Sequence, residues 1–384
     1  MDFELSPARQ KRFAENVDAV ERRFSDSASA YHGQAFDHDR WRAAAELGFT
    51  GLCIPESHGG SGFGALDTAL GLQAFGRACP DTGLVFGVAA HLLACAVPVR
   101  DFGDAEVRDR FLPPLASGEL IAANAITEDE AGSDTGTMTT TAVLDGDDYL
   151  LDGEKSFASN GAVADLFVTY AVTDAAAGFL GVSAFLVPGD ATGIEVGPPL
   201  EKMGLDGCVA ARVRFSGCRI PAGHRLGPPG SGARVFRHSM DWERSCLFAV
   251  YVGLMERQLK QCVDHARRRQ QFGRRIGDFQ AVSHKIAAMA GRLEGARLLL
   301  YRACWLLDWN QPSDIAAAVS FAKIAVSEAA VANSLDAVQL FGGAGYLVAD
   351  GVERQLRDSL PSTIFSGTTE IHREIIARGL GLGL

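Results

Sequence analysis

Apolar residues recur at helical spacing in two blocks of the chain and at strand spacing between them. DRWRAAAELGF (39–49), LDTALGLQAFGRA (66–78) and VFGVAAHLLACAV (85–97) predict helices, supported by Ala and Leu content and few β-branched residues. PESHGGSGFG (55–64) and CPDTG (79–83) interrupt them with turn formers. From about residue 121 the pattern shortens. TMTTTAVL (137–144) and YLLDG (149–153) flank Asp145-Gly146, a hairpin signal. DLFVTYAV (165–172), VSAFLVP (182–188), GIEVG (193–197) and ARVRFSGCRIP (211–221) add strands separated by glycine turns. With no helices between them, these predict an antiparallel barrel or sandwich. After GPPGSG (227–232), helical patterns return over about 232–267, 277–309, 314–340 and 369–379, broken by QFGRRIGD, WNQPSD and FGGAG. The expected organisation is α+β: an N-terminal helical domain (1–120), a central β domain (121–227) and a C-terminal helical bundle (228–384).

One residue breaks the apolar stripe of the first bundle helix. Phe236, Met240, Glu243, Leu247, Val250 and Leu254 fall on one face at helical spacing, and Glu243 is its only carboxylate. A buried carboxylate is costly unless it is paired or has a task, and burial raises its pKa toward that of a useful base. ITEDEAGSD (126–134) and EKSFASNG (154–161) are rich in small, hydroxyl-bearing and glycine residues that can close around a flat, polar cofactor. Together they point to proton abstraction beside a bound cofactor.

Composition narrows the alternatives. Of 384 residues, 47% are hydrophobic, enough for a sizeable core, and the net charge of −11 argues against a nucleic-acid partner. HARRRQQFGRR (265–275) is the dense basic stretch, readable as a solvated helix face, a phosphate clamp or a docking surface for an acidic partner. The eight cysteines form no CxxC and no zinc-like cluster, so reduced core thiols are expected, Cys246 among them as an apolar filler. GSGFG (60–64) lacks a βαβ setting and FGGAG (341–345) follows a helix, so neither reads as a dinucleotide fingerprint. Walker A, HExxH and GxSxG are absent, and His91 reads as a satisfied core histidine, which leaves metal catalysis unsupported. No run of membrane-spanning length and no apolar signal core is apparent, so a cytoplasmic location is expected.

AITEDEAGSD, GEKSFASNG, RRQQFGRRIGDFQ, QLFGGAGY and IFSGTTEIHREIIARG occur in an order and spacing that resemble the acyl-CoA dehydrogenase family of flavoproteins, end to end. The resemblance implies an N-terminal helical domain, a central β domain, a C-terminal four-helix bundle, assembly as a homotetramer, and FAD as cofactor. It places Ile126 and Thr127 at the flavin ring, Gly132 and Ser133 near the pyrophosphate, Phe157 against the ring and Ser159 near N5. Arg269, Phe272, Phe279, Gln280, Gln339 and Gly343 match residues holding the adenine half of FAD from a neighbouring subunit. Thr368 and Glu370 match the loop beside the pyrophosphate.

Many members carry their catalytic glutamate just before the glycine of the last motif, where this chain has Ser366. One branch instead places it on the first long bundle helix, at the position of Glu243. The resemblance therefore implies Glu243 as the base that takes the α-proton of an acyl thioester, with the residue 366 N–H polarising the thioester carbonyl. VAAHLLACAVP (88–98), SMDWERSCLFA (239–249), LMERQLKQC (254–262) and PSTIFSGTTE (361–370) look most like the members that oxidise L-proline tethered to a peptidyl carrier protein. Trp242, Arg244, Phe365 and Ser366 are the expected substrate contacts, with Trp242 and Phe365 shortening the pocket to suit a five-membered ring. The alternatives are a short- or branched-chain acyl-CoA dehydrogenase, a flavin monooxygenase of the same fold, and a non-catalytic carrier-binding scaffold.

Overall fold

The computed structural model describes residues 5–24, 36–309 and 312–382, without the side chains of 312–314. Part of the expected break WNQPSD and the first residues of the N-terminus lie outside the described residues. The first helical block comprises α1 (Pro7–Arg23), α2 (His38–Glu46), α3 (Ala65–Ala78), α4 (Thr82–Ala90), α5 (Val97–Phe102) and α6 (Ala105–Ala116). Ser6, Asp37, Asp81 and Asp104 cap α1, α2, α4 and α6 by accepting backbone N–H groups that the first turn leaves unpaired. Between α4 and α5, residues His91–Ala96 form a π turn.

The β domain holds β1 (Ala122–Ala125), β2 (Thr141–Asp145), β3 (Asp148–Ala158), β4 (Leu166–Val172), β5 (Val182–Pro188), β6 (Ile194–Val196), β7 (Ala211–Pro221) and β8 (Arg225–Leu226). They make one sheet in the order β6-β7-β3-β2-β4-β5-β8, with β1 also on β4. The sheet is mixed, which corrects the antiparallel expectation: β1 and β2 share one edge of β4, and both run parallel to it. The β2–β3 hairpin lies between β1 and β4 in sequence and supplies the length a parallel crossover needs. That hairpin turns on Gly146 and Asp147, one residue later than expected, because Asp145 pairs with Asp148 and Gly146 takes the positive φ. In β4, Leu166, Val168 and Tyr170 face the helices, while Phe167 and Ala171 face the sheet's own core. Burial on both faces explains why β4 and β5 read as near-continuous apolar runs, broken by Thr169 and Ser183.

The second helical block contains α7 (Gly232–Trp242), a π turn (Glu243–Leu247), α8 (Ala249–Arg268), the hairpin β9 (Gln270–Gln271) and β10 (Arg274–Arg275), α9 (Gln280–Asp308), α10 (Pro312–Phe341), α11 (Gly343–Tyr346), α12 (Val352–Ser359) and α13 (Thr369–Gly379). Its core is continuous with that of the first block. Thr82–Phe102 and Ile315–Phe341 are each long and apolar enough to cross a membrane, contrary to the sequence expectation. Over their most apolar windows Thr82–Phe102 is 100% buried and Ile315–Phe341 is 56% buried, and both contribute to this shared core. Burial inside the protein accounts for the composition of Thr82–Phe102.

Helices α3 and α8 cross at Gly76 and Gly253. A Cβ on Gly253 would lie 2.2 Å from the Gln73 carbonyl oxygen, and one on Gly76 would lie 2.4 Å from that of Val250. Both clashes are with backbone, so no rotamer relieves them. Gly253→Ala is expected to cost roughly 1–3 kcal/mol through forced separation of the helices. A lowered denaturant midpoint checks this; an unchanged midpoint would mean the crossing can widen freely.

Candidate active site

A cavity of about 590 Å³ lies where β1 and β3 meet α4, α7 and the 364–371 loop. Ile126, Thr127, Gly132, Ser133, Phe157 and Ser159 line one side, and Glu243, Arg244, Phe365, Ser366 and Thr368 line the other. A larger cleft of about 690 Å³ on the β domain is bordered by β2, Tyr149 and the 172–181 segment. It holds none of the residues expected to carry chemistry.

The β wall is fixed by buried polar groups. His91 is buried, its Nε2–H donates to the Leu115 carbonyl at 3.0 Å, and its Nδ1 accepts the Ala122 N–H at 3.0 Å, pinning the start of β1. Burial lowers its pKa to about 4, so it stays neutral, a satisfied core histidine. Further along, the Ser156 N–H donates to the Thr127 carbonyl at 2.7 Å and the Lys155 ammonium to the Ile126 carbonyl at 3.1 Å. Lys155 also bonds Glu128 at 2.8 Å, and Glu128 accepts the N–H and hydroxyl of both Thr139 and Thr140. These contacts zip the 126–129 segment to the end of β3. Phe157 has φ 58° and is 60% exposed, an unusual backbone for a bulky residue. Asn160, at φ 62°, braces the following turn by donating to the Gly87 carbonyl at 2.8 Å.

The helical wall is shaped by the two π turns, which pack on one another. The Glu243–Leu247 π turn splits the single stripe read from sequence. Phe236, Met240 and Glu243 border the cavity, whereas Leu247, Val250 and Leu254 are core residues and the Val250 backbone meets α3. A π turn inserts one extra residue per turn, so the face rotates there. Glu243 is 8% exposed and accepts the Ser366 hydroxyl at Oε1. Burial raises its pKa above the usual carboxylate range, opposed by the Ser366 hydroxyl and then by the Arg244 charge. Arg244 Nε donates to the Ser366 carbonyl at 2.9 Å.

Phe365 packs against Phe86 with ring centroids 4.8 Å apart and against Phe248 at 5.4 Å, closing one end of the cavity. Trp242 does not join it. The Trp242 ring is buried beneath the Arg100 guanidinium at 4.3 Å, because neighbours on a helix point about 100° apart. Glu370 is exposed on the first turn of α13 and does not border the cavity, although Thr368 does and caps that helix. Arg269, Phe272, Phe279, Gln280, Gln339 and Gly343 also lie outside it, at the far end of the bundle where α8 and α10 meet through His265 stacked on Phe341. Phe272 is 94% exposed there.

Two further groups, one face of α4 with its π turn and the Asn124 side chain, border the cavity beyond the residues the sequence marks. Phe86, Ala90 and Ala94 share one helical face, but apart from His91 their neighbours are apolar too, so no sequence signal marks that face. Asn124 was legible as the one polar residue of strand AANA. Its side-chain oxygen is buried and has no partner among the described residues. That orphaned acceptor, the open space over Gly132, and the α13 N-terminus behind Thr368 suit a flat, polar, phosphate-bearing group. FAD is such a group, and the residues present fit it. Among the described residues no cluster of His, Cys, Asp and Glu suited to a metal occurs, and all eight cysteines are free and buried.

Comparison with known proteins gives concordant matches. Residues 7–119, 123–218 and 230–381 match the models of the acyl-CoA dehydrogenase N-terminal, middle and C-terminal domains. The chain is 50% identical over 383 residues to L-prolyl-[peptidyl-carrier protein] dehydrogenase of Pseudomonas fluorescens, covering 100% of each. It is 43% identical over 388 residues to the enzyme of the same name from Serratia sp., covering 100% of this chain and 99% of that one. The solved structure of PigA with FAD and proline superposes with TM-score 0.94 at 42% identity, covering 100% of both chains. That of the prolyl acyl carrier protein oxidase AnaB superposes with TM-score 0.95 at 38% identity, covering 99% of this chain and 100% of that one. With all three domain models matched in order along one continuous fold, this chain belongs to the acyl-CoA dehydrogenase family.

Proposed function

We propose that this protein is an FAD-dependent dehydrogenase that oxidises L-proline held as a thioester on a peptidyl carrier protein. The observation that carries this reading is a single buried carboxylate, Glu243, bordering one cavity with both flavin-type motifs. The names of the two curated relatives supply the substrate class.

Ile126, Thr127, Gly132, Ser133, Phe157, Ser159 and Thr368 would hold the cofactor from this chain, with Glu370 next to Thr368. Arg269, Phe272, Phe279, Gln280, Gln339 and Gly343 would hold its adenine half from a neighbouring subunit of a homotetramer. The exposure of Arg269, Phe272, Gln280, Gln339 and Gly343 at the far end of the bundle, with Phe279 half-buried beside them, supports that role. Bound FAD supplies a two-electron acceptor for the β-hydrogen leaving as hydride. Glu243 removes the α-proton, and the electron pair of that C–H bond becomes the new C=C bond while the thioester stays intact. The Ser366 N–H polarises the thioester carbonyl, favouring charge that develops on its oxygen. Phe365, backed by Phe86 and Phe248, limits the length of the acyl group and suits a small ring. The exposed arginines of 265–275 offer an acidic carrier protein a basic surface. We place the enzyme in the cytoplasm.

Anaerobic mixing of the FAD-loaded enzyme with prolyl-loaded carrier protein, and separately with short-chain acyl-CoAs, tests the substrate. The flavin band is expected to bleach with the carrier-bound substrate and to persist with acyl-CoA alone. Bleaching by acyl-CoA alone would favour an ordinary acyl-CoA dehydrogenase.

A further inference from the structure

Ser366 occupies a strained position for a side chain, with φ 55°, and Gly367 follows at φ 95°. A non-glycine residue persists in left-handed backbone only where its surroundings over-determine it. Here the constraint is visible. Two donors converge on the Ser366 carbonyl, Arg244 Nε at 2.9 Å and the His372 ring at 3.1 Å. His372 is itself buried and tied to the Ser320 hydroxyl at 3.0 Å, so it bonds on both ring nitrogens. With the peptide anchored on its carbonyl side, the Ser366 side chain is turned back across the cavity onto Glu243 Oε1.

We propose that Ser366 is a positioning residue for the base: Arg244 and His372 lock its peptide so that the hydroxyl holds one oxygen of Glu243 and leaves the other free for the substrate. This rests on Glu243 being the base. The loop position that elsewhere in the family provides the carboxylate here provides the hydroxyl that orients one. A hydrogen bond to a carboxylate favours its ionised form and restricts its rotation, two things a base buried among apolar neighbours needs.

On the acid side of a pH profile the surroundings offer two carboxyl groups, Glu243 and Asp241, which Glu243→Gln separates. Cys95 from the π turn before α5 and Tyr170 from β4 face it, and burial pushes both far above their ordinary values, so they remain neutral. Asp241 on the same helix is raised by burial and opposed first by Arg244. Arg244 remains a cation although burial lowers its pKa. Burial lowers His372 to about 3, which keeps it neutral, and lowers Lys323 on α10 to about 8, on the alkaline side.

The experiment is the pH dependence of flavin reduction by prolyl-loaded carrier protein in wild type, Ser366→Ala, Ser366→Gly and Glu243→Gln, with flavin absorbance confirming FAD loading. Losing the hydroxyl is expected to move the acid limb to higher pH by about one unit. The loss in rate is then about tenfold greater below the limb than above it. Glycine relieves the backbone strain and alanine does not, so an equal shift in both assigns the effect to the hydroxyl. A limb that Glu243→Gln abolishes but neither Ser366 variant moves would overturn the positioning role alone. A limb that survives in Glu243→Gln would overturn the base assignment and this inference with it.

Discussion

Glu243→Gln is expected to retain FAD and lose about 10²–10⁴-fold in the rate of flavin reduction by prolyl-loaded carrier protein. Glutamine keeps the size of the side chain and can still accept the Ser366 hydroxyl at its amide oxygen, so the cavity shape survives. What disappears is the group able to take a proton. No neighbour can replace it: Cys95 and Tyr170 are buried with raised pKa values, and Ser366 has only a hydroxyl. In the wild type, burial holds Glu243 above the usual carboxylate range. Activity therefore rises with pH as the carboxyl ionises, and the glutamine variant should show no such rise. Stopped-flow absorbance of the flavin band measures both the rate and its pH dependence. A rate equal to wild type would place the base elsewhere.

The second large effect is structural. Lys155→Met is expected to destabilise the protein by about 3–5 kcal/mol, because it leaves the Glu128 carboxylate buried without its cation. Lys155 is fully buried, and burial lowers its pKa, only partly offset by Glu128. For Glu128, burial pushes the pKa up, but Lys155, the Thr140 hydroxyl and the Thr139 N–H together outweigh it and bring the carboxyl to about 2. Both groups thus sit below their ordinary values, Lys155 through burial and Glu128 through its donors. The ammonium has few other partners, while the carboxylate also collects four donors from Thr139 and Thr140. With its folded pKa depressed, Glu128 contributes stability that is fully present above the ordinary carboxylate pKa of about 4.3 and lost as pH falls toward about 2. The methionine variant depresses that pKa less, so the stability gap from wild type narrows on acidification over this window. FAD content should fall as well, since Lys155 also anchors the Ile126 carbonyl on the cavity wall. Denaturant unfolding at neutral and acidic pH reads the first effect, and the flavin-to-protein absorbance ratio reads the second. An unchanged midpoint would show that the threonines alone satisfy Glu128.

Much of this architecture could be read before any coordinates. VSAFLVP and ARVRFSGCRIP coincide with β5 and β7, the first as an apolar run between glycine and proline, the second through apolar–polar alternation that ends at a proline. The parallel pairing of β1 with β4 was not legible, since four residues of AANA carry no register information. The π turns escaped for a different reason. An i→i+5 bond needs no special composition, so a continuous helical pattern conceals the rotation that splits the Glu243 stripe. Trp242 was misplaced because adjacency to Glu243 in sequence suggested adjacency in space, whereas helix geometry sends it to Arg100. The cavity wall from α4 carried no mark at all, its functional face being as apolar as its buried one. Ser366 looked like the loss of a base, and only the left-handed backbone reveals what its hydroxyl touches.

Mass spectrometry of prolyl-loaded carrier protein after incubation with the wild type and, in parallel, with Glu243→Gln tests the central claim most directly. The account predicts that the wild type removes hydrogens from the tethered proline in pairs and that the variant leaves its mass unchanged over the same period. Equal hydrogen loss with both proteins would contradict it.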